Sequence, residues 1–256
     1  MQRKTMKSLL KYAFVACLLV LTASLTGCVK FKQGLTVMPD GSGKIDMSIG
    51  LSDQMMQMAK QQGESPFDEM DPKTLAKDSK GIVAFSKPVQ KKEGGYTYMT
   101  FSAYFEDINE VELGSPDEDQ QPAKFVYKRD GKTASLTVEE SMILSAVADH
   151  EPLGEEEKQF AAAMLSGMLF TETYTLPGSF EDIKGVAGTD NVAKIEMTSD
   201  HMLNSTGPIK DLKGVEKLTF KISEVKEDAK AAKAFKEELE AAKKEWEEMQ
   251  KEAAGE

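Results

Sequence analysis

A strict alternation of apolar side chains on both sides of a short turn constrains the fold most. From residue 29 to residue 51 the apolar residues fall almost entirely at odd positions, and Pro39-Asp40-Gly41-Ser42-Gly43 separates the two runs. Because successive side chains of a strand point to opposite faces, this spacing predicts two strands with one apolar face each. We expect an antiparallel hairpin in which Val37 pairs with Ile45, since this register puts the odd-numbered apolar residues on one face.

The chain up to residue 222 contains further segments of strand-like and helix-like composition, separated by turn residues. Strands are predicted at 82–89, 96–105, 124–129, 132–139, 171–176, 192–198 and 215–222. Short helices are predicted after Ser52, near 73–77 and after Pro152. The Asp130-Gly131 pair predicts a type I′ turn that sets Tyr127 opposite Ala134. The fold class that follows is α+β, with an antiparallel β-sheet built from hairpins and a few packed helices.

The last segment of the chain, residues 223–256, predicts a long amphipathic helix. Residues 224–254 contain neither glycine nor proline, and Ser223 is expected to cap the helix. Apolar residues recur with a 4-3-4-3 spacing at Phe235, Leu239, Ala242, Trp246 and Met249. This spacing predicts a coiled-coil-like seam, with Phe235, Leu239, Trp246 and Met249 as its large side chains. Two docking sites fit the seam equally, the chain's own domain and a protein partner.

The first 27 residues have the layout of a secretory signal peptide. A segment with four basic residues and no acidic one precedes an apolar run that begins at Tyr12, and small residues follow the run. The alternative is an uncleaved signal anchor, which needs about 17 to 20 apolar residues to span a membrane. Thr22, Ser24, Thr26 and Gly27 interrupt the run, so the sequence favours cleavage.

Leu25, Thr26, Gly27 and Cys28, at the end of the apolar run, resemble the lipobox of bacterial lipoproteins. The resemblance implies transfer of a diacylglycerol to the sulfur of Cys28, cleavage between Gly27 and Cys28, and acyl chains such as palmitate that hold the exported chain on a membrane. Two or three long chains anchor a protein firmly, because each buried methylene contributes about 0.8 kcal/mol. Cys17 and Cys28 are the only cysteines, so processing leaves one, and acylation occupies its thiol.

The charge argues against a nucleic-acid partner, and no sequence motif indicates catalysis or metal binding. The formal net charge is −11 and the leader is basic, whereas phosphate binding needs clustered Lys and Arg, so we expect no nucleic-acid partner. His150 and His201 are the only histidines, and the sequence contains no His-Glu-x-x-His, Cys-x-x-Cys, Gly-x-Ser-x-Gly or Gly-x-Gly-x-x-Gly motif. The acidic segment 106–119 lacks the spacing of a calcium-binding loop and is interpreted as a solvated loop. We predict no catalytic residue, no metal site and no cofactor.

Cys28 leading directly into a strand, the turn at 39–43, and Thr175-Leu176-Pro177-Gly178 resemble the LppM-type group of bacterial lipoproteins. This resemblance covers about residues 28–222 and implies an extracytoplasmic α+β domain after a lipidated cysteine, without catalytic residues. The terminal helix is not part of that pattern. The chain is therefore predicted to consist of a signal peptide (1–27), an α+β domain (28–222) and a charged, coiled-coil-like helix (223–256).

Two functions fit these features. The first is a non-enzymatic cell-envelope lipoprotein, anchored through Cys28, that binds or assembles with an envelope protein through its surface or its C-terminal helix. The alternative is a carrier of an apolar ligand such as a lipid or glycolipid, suggested by 15 methionines, whose side chains adapt to varied apolar shapes. The expected location is the extracytoplasmic face of a bacterial membrane. The outer membrane is expected where the host has one. An Asp directly after the cysteine would resemble an inner-membrane retention signal, and this chain has Val29 at that position.

Overall fold

A computed structural model describes residues 29–62, 65–68, 71–113 and 122–254. In these residues thirteen strands form two sheets, joined by seven α-helices and one 3₁₀ helix, Ile108–Glu110. The strands are β1 (Val29–Val37), β2 (Gly43–Ser52), β3 (Ile82–Phe85), β4 (Val89–Glu93), β5 (Tyr96–Phe105), β6 (Glu112–Leu113), β7 (Ala123–Asp130), β8 (Thr133–Glu139), β9 (Leu169–Thr175), β10 (Gly178–Phe180), β11 (Ala187–Thr189), β12 (Val192–Thr198) and β13 (Lys217–Val225). The helices are α1 (Asp53–Gln62), α2 (Pro72–Asp78), α3 (Met142–Ala148), α4 (Glu155–Leu165), α5 (Ser199–Asn204), α6 (Pro208–Asp211) and α7 (Ala229–Ala254). The predicted α+β class is confirmed.

The two sheets pack on a common core. The larger sheet has the strand order β11-β12-β9-β1-β2-β5-β3, with β4 also paired to β5, and the smaller sheet has the order β10-β13-β8-β7-β6. The ring of Tyr174 on β9 lies 4.9 Å from the ring of Phe220 on β13, and both side chains belong to one continuous apolar cluster. The apolar face of the larger sheet is therefore covered, and its other face is polar.

The first hairpin forms as predicted, but the predicted register is wrong by two residues. Leu35 pairs with Ile45, and Val37 pairs with Gly43. A Cβ atom on residue 43 would clash with the carbonyl oxygen of Thr36 and with the ring of Phe105, so only glycine lets the strands pair this close to the turn. A shift of two keeps every side chain on its face, so the predicted burial of the odd-numbered residues still holds.

The second hairpin shows the same two-residue shift. Tyr127 pairs with Leu136, and the loop consists of Gly131 and Lys132 rather than Asp130 and Gly131. Gly131 is the loop residue with positive φ, at 58°. A glycine with positive φ at the first loop position is the pattern of a type II′ turn, so the predicted type I′ turn is wrong.

Three further features of the secondary structure differ from the predictions. The strand expected at 82–89 is two strands, β3 and β4, because the chain leaves the ladder at residues 86–88. Helix α3 was not predicted. Ser223 does not cap a helix, because β13 continues to Val225 and the Oδ1 of Asp228 accepts the hydrogen bonds of the first free N–H groups of α7.

One strand pair departs from the predicted antiparallel sheet. β1 and β9 are parallel, with Lys30 opposite Leu169 and Thr36 opposite Thr175. Between these strands the chain passes through most of the smaller sheet and through α3 and α4, and this long crossover returns β9 to the same end as β1. The first residues of β1 and β9 therefore lie side by side.

Candidate functional site

The polar face of the larger sheet carries two rows of hydrophilic side chains. Direct pairing across the ladders sets Thr171, Lys32, Ser48 and Thr100 in one row over β9, β1, β2 and β5. The second row runs parallel to it and contains Thr173, Gly34, Asp46 and Ser102. Paired residues of neighbouring strands share a face, so the two rows form one continuous surface.

These rows line an open groove of about 380 Å³. The segment that breaks the predicted strand forms one wall, because Ser86, Lys87 and Val89 line the groove beside β5. Six hydroxyl groups line the groove, together with the ammonium groups of Lys32 and Lys87 and the carboxylate of Asp46. No histidine or cysteine is among the lining residues. The arrangement therefore offers hydrogen bonds and charges of both signs to a polar partner.

Gly34 leaves a gap in the floor of this groove. It lies between Thr173 and Asp46 in the second row, where it contributes no side chain. A Cβ atom at this position would lie 3.9 Å from the Cβ of Asp46, which is ordinary van der Waals contact. The fold can thus accept a side chain here, and the glycine deepens the groove instead of relieving a clash.

The residues predicted as the seam of the C-terminal helix pack against the chain's own domain. Phe235, Leu239, Trp246 and Met249 are all buried, and the ring of Trp246 lies 5.3 Å from the ring of Phe85 on β3. Helix α7 therefore covers the edge strand of the larger sheet. Of the two docking sites that the sequence left open for the seam, the chain's own domain is the one occupied.

A three-residue polar cluster fixes α7 beside the sheet. Lys44 and Tyr104 are directly paired across β2 and β5, and both donate hydrogen bonds to Oε1 of Glu238, at 2.8 and 2.9 Å. Burial disfavours the ionised form of Glu238, but the two hydrogen bonds outweigh it and hold its pKa below the usual range. Burial also opposes the charge of Lys44, and its carboxylate neighbours Glu238 and Asp46 outweigh that effect and raise its pKa.

A carboxyl group lies fully inside the core. Glu172 is 1% exposed, and it accepts hydrogen bonds from the N–H of Ile143 at 3.1 Å and from the hydroxyl of Tyr174 at 2.7 Å. Burial raises the pKa of Glu172, and the hydrogen bonds oppose this shift only in part. Because Ile143 lies in the first turn of α3, the side chain of Glu172 joins this helix to β9.

The predicted lipobox residues and part of the acidic segment lie outside the part of the chain that the structure describes. Leu25, Thr26, Gly27 and Cys28 lie outside the described residues, as do residues 114–119 of the acidic segment. Val29, which follows Cys28 in the sequence, is the first residue of β1. None of the helices in the described ranges is long and apolar enough to cross a membrane.

Neither histidine belongs to a cluster of ligands. Nε2 of His150 lies 3.0 Å from Oγ of Ser205, and His201 lies in the first turn of α5, where its N–H is bound by Oγ1 of Thr198. Among the residues that the structure describes, no group of three or more His, Cys, Asp or Glu side chains is placed to hold a metal ion.

The methionines that suggested a ligand cavity serve mostly in packing. Met99 and Met197 are buried in the core, and Met55 and Met56 pack against it. Of the methionines that the structure describes, Met47 is the one that lines the groove.

The groove itself was missed by sequence reasoning. The alternation that identified the apolar face also places Lys32, Ser48, Thr100 and Ser102 on the opposite face, but it does not distinguish a groove from an ordinary solvent-facing surface. The parallel pairing that adds Thr171 and Thr173 has no signature in the sequence. A glycine within an otherwise regular strand, Gly34, is the one local signal that could have indicated a depression.

Comparison with known proteins leaves the chain without an assigned family. No protein-family model matches it, and no curated protein matches it. Among solved structures, it is similar to the NMR structure of the folded domain of the LppM protein of Mycobacterium tuberculosis, with 10% sequence identity, 78% of this chain and 92% of that chain covered, and a TM-score of 0.36. A similarity this distant supports neither a family assignment nor a function.

Proposed function

We propose that this protein is a non-enzymatic lipoprotein of the bacterial cell envelope, held on a membrane by acyl chains on Cys28, and that it binds an envelope protein at the polar groove. The observation that carries the proposal is the position of β1. Val29, the residue after the lipobox cysteine, already belongs to this strand, and the strand also supplies Lys32 and Gly34 to the floor of the groove.

The short path from anchor to groove restricts the partner. Lys32 and Gly34 follow Cys28 by four and six residues, and a strand rises about 3.3 Å per residue, so the groove lies roughly 13 to 20 Å from the acylated residue. A partner that fills the groove must therefore reach close to the membrane surface. An envelope protein that is itself bound to the membrane, or that lies against it, meets this requirement.

The groove is favoured over the apolar face of the larger sheet and over the seam of α7 because both of these surfaces are already covered. The second sheet covers the apolar face of the larger sheet, and α7 uses its apolar seam on β3. The polar face remains open to solvent over four strands. Its lysines and carboxylate suit a partner surface of mixed charge, since complementary charges give specificity and orientation in protein complexes.

Substitution of Gly34 tests the proposal without disturbing the core. We expect Gly34→Val to fill the groove and to abolish partner binding while thermal stability stays equal or rises, because glycine in a strand is destabilising by roughly 0.5–1 kcal/mol relative to alanine. The measurement is site-specific photo-crosslinking in intact cells, with the photoreactive residue at the exposed Thr100. A discrete crosslinked product is expected when Gly34 is present and is expected to disappear in the Gly34→Val variant.

Thr36→Val is the matched control. Thr36 lies on the same strand and the same face, two residues further along β1, and does not line the groove. The control variant should keep the crosslinked product. A product that persists in Gly34→Val, or no product from Thr100 in any variant, would contradict a partner site in the groove.

A further inference from the structure

The ends of five strands of the larger sheet lie side by side and form one border of the sheet, perpendicular to the strands. We call this border the anchored edge. β1, β5 and β9 begin there, and β2 and β12 end there. The pairing runs continuously along this edge from Thr198 through Leu169, Lys30 and Gly50 to Tyr98. Cys28 precedes Val29, so its Cα lies about 3.8 Å from the first residue of β1. The proposed lipid attachment is therefore at this edge.

Two helices flank the point of attachment. β1 lies between β9 and β2 in the sheet. Helix α1 follows β2 directly after Ser52, and α4 ends at Leu165, four residues before β9 begins. Because neighbouring strands are about 4.8 Å apart, the strands connected to these helices lie roughly 10 Å from each other, with β1 between them.

Each flanking helix exposes a large apolar side chain. Phe160 on α4 is 71% exposed, and Met58 on α1 is 48% exposed. The other large apolar residues exposed in the described part of the chain are Val89, in the wall of the groove, and Val192, at the far end of the sheet. The two halves of helix α4 also differ in character. Glu155, Glu156 and Glu157 form its acidic first turn, and its second half is apolar and is followed by the anchored edge.

We propose that Met58 and Phe160 insert into the outer leaflet of the membrane on either side of Cys28, and that they hold the anchored edge against the bilayer. This inference rests on the acylation of Cys28 proposed above. The lipid is the occupant because the covalent anchor places this edge at the bilayer surface, where exposed Phe and Met side chains gain apolar contact while the acidic first turn of α4 stays in water. The contact fixes how the groove is presented to its partner.

The test locates three exposed side chains relative to the lipid in the full, processed protein. The precursor is expressed with Met58→Cys, Phe160→Cys or Val192→Cys, and an environment-sensitive fluorophore is attached to the new thiol, since acylation blocks Cys28. The proteins are reconstituted into phosphatidylethanolamine–phosphatidylglycerol vesicles with and without nitroxide-labelled lipid. Val192 is the matched control, because it is an exposed apolar residue whose distance from the anchored edge along β12 is roughly 20 Å.

The expected result is a blue-shifted emission at positions 58 and 160, with several-fold stronger quenching by the nitroxide lipid than at position 192. Intact mass, measured first on each sample, separates the two proposals. An acylated protein that shows equal quenching at all three positions, or quenching at one flank only, would overturn the two-sided insertion and leave the anchor in place. An unacylated protein would overturn both.

Discussion

Trp246→Ala is expected to lower the free energy of unfolding by about 3–5 kcal/mol, the usual cost of truncating a large aromatic side chain in a core. Trp246 is the largest side chain of the α7 seam, is 8% exposed, and packs against Phe85, which is itself buried. The loss should be large because the cavity would open between α7 and the edge strand it covers. Urea unfolding followed by circular dichroism is the suitable measurement, since Trp246 is the only tryptophan and its fluorescence disappears with it.

Glu247→Ala is the matched control for this prediction. Glu247 is the next residue on α7, and its side chain is exposed on the outer face. Its replacement should change the free energy of unfolding by no more than about 0.5 kcal/mol. Equal, small effects of the two substitutions would show that the seam does not dock on β3 in solution, and the helix would again be a candidate surface for a partner.

Glu172→Ala is expected to destabilise the protein by about 3 kcal/mol, because it leaves two buried donors without an acceptor. The N–H of Ile143 and the hydroxyl of Tyr174 both lose their partner, and each unsatisfied buried group costs about 1–3 kcal/mol. Glu172→Gln keeps the shape but only one acceptor oxygen, whereas Oε1 and Oε2 of Glu172 each accept one of the two hydrogen bonds. This variant should therefore be destabilised, but by less than Glu172→Ala, because one of the two donors keeps its acceptor.

The stability of the unsubstituted protein and that of the Glu172→Gln variant should depend differently on pH. Burial raises the pKa of Glu172 in the folded state, so the folded protein holds this proton more strongly than the unfolded chain does. The stabilisation that results is complete below the unfolded-state pKa and is lost as the pH rises through the raised, folded-state pKa. Glutamine does not titrate, so the stability of Glu172→Gln relative to the unsubstituted protein should increase over the range in which the pH rises from the unfolded-state pKa through the raised, folded-state pKa. A difference that stays constant over this range would contradict an ionisable, buried Glu172.

The faces of the strands could be predicted from the sequence, whereas their registers could not. The alternation of Leu35, Val37 and Ile45 defines an apolar face in any register that differs by an even number of residues. The choice between those registers depends on Gly43, whose missing side chain allows pairing closer to the first turn, and on Gly131, whose positive φ places it at the first loop position of the second. This choice is made by contacts across the sheet, which a single strand sequence does not contain.

The features that depend on tertiary contacts were the hardest to predict. The parallel pairing of β1 with β9 brings Thr171 and Thr173 to the groove from a segment more than a hundred residues away. The burial of Glu172 follows from the packing of α3 on β9, and α3 itself was not predicted. The apolar residues of the α7 seam are buried against the edge strand β3, a docking site that the sequence of the helix alone does not identify.

We propose that acyl chains on Cys28 anchor this domain, and the most direct test of this anchoring compares the full precursor with its Cys28→Ala variant in a bacterial host. Intact mass and partition between membrane and soluble fractions are measured for both. The predicted result is a membrane-bound product that lacks residues 1–27 and carries a diacylglycerol, with neither property in the variant. If the precursor and its Cys28→Ala variant both gave an uncleaved and unmodified product, the proposed lipid anchor would be contradicted, because the chain would then be held by its leader.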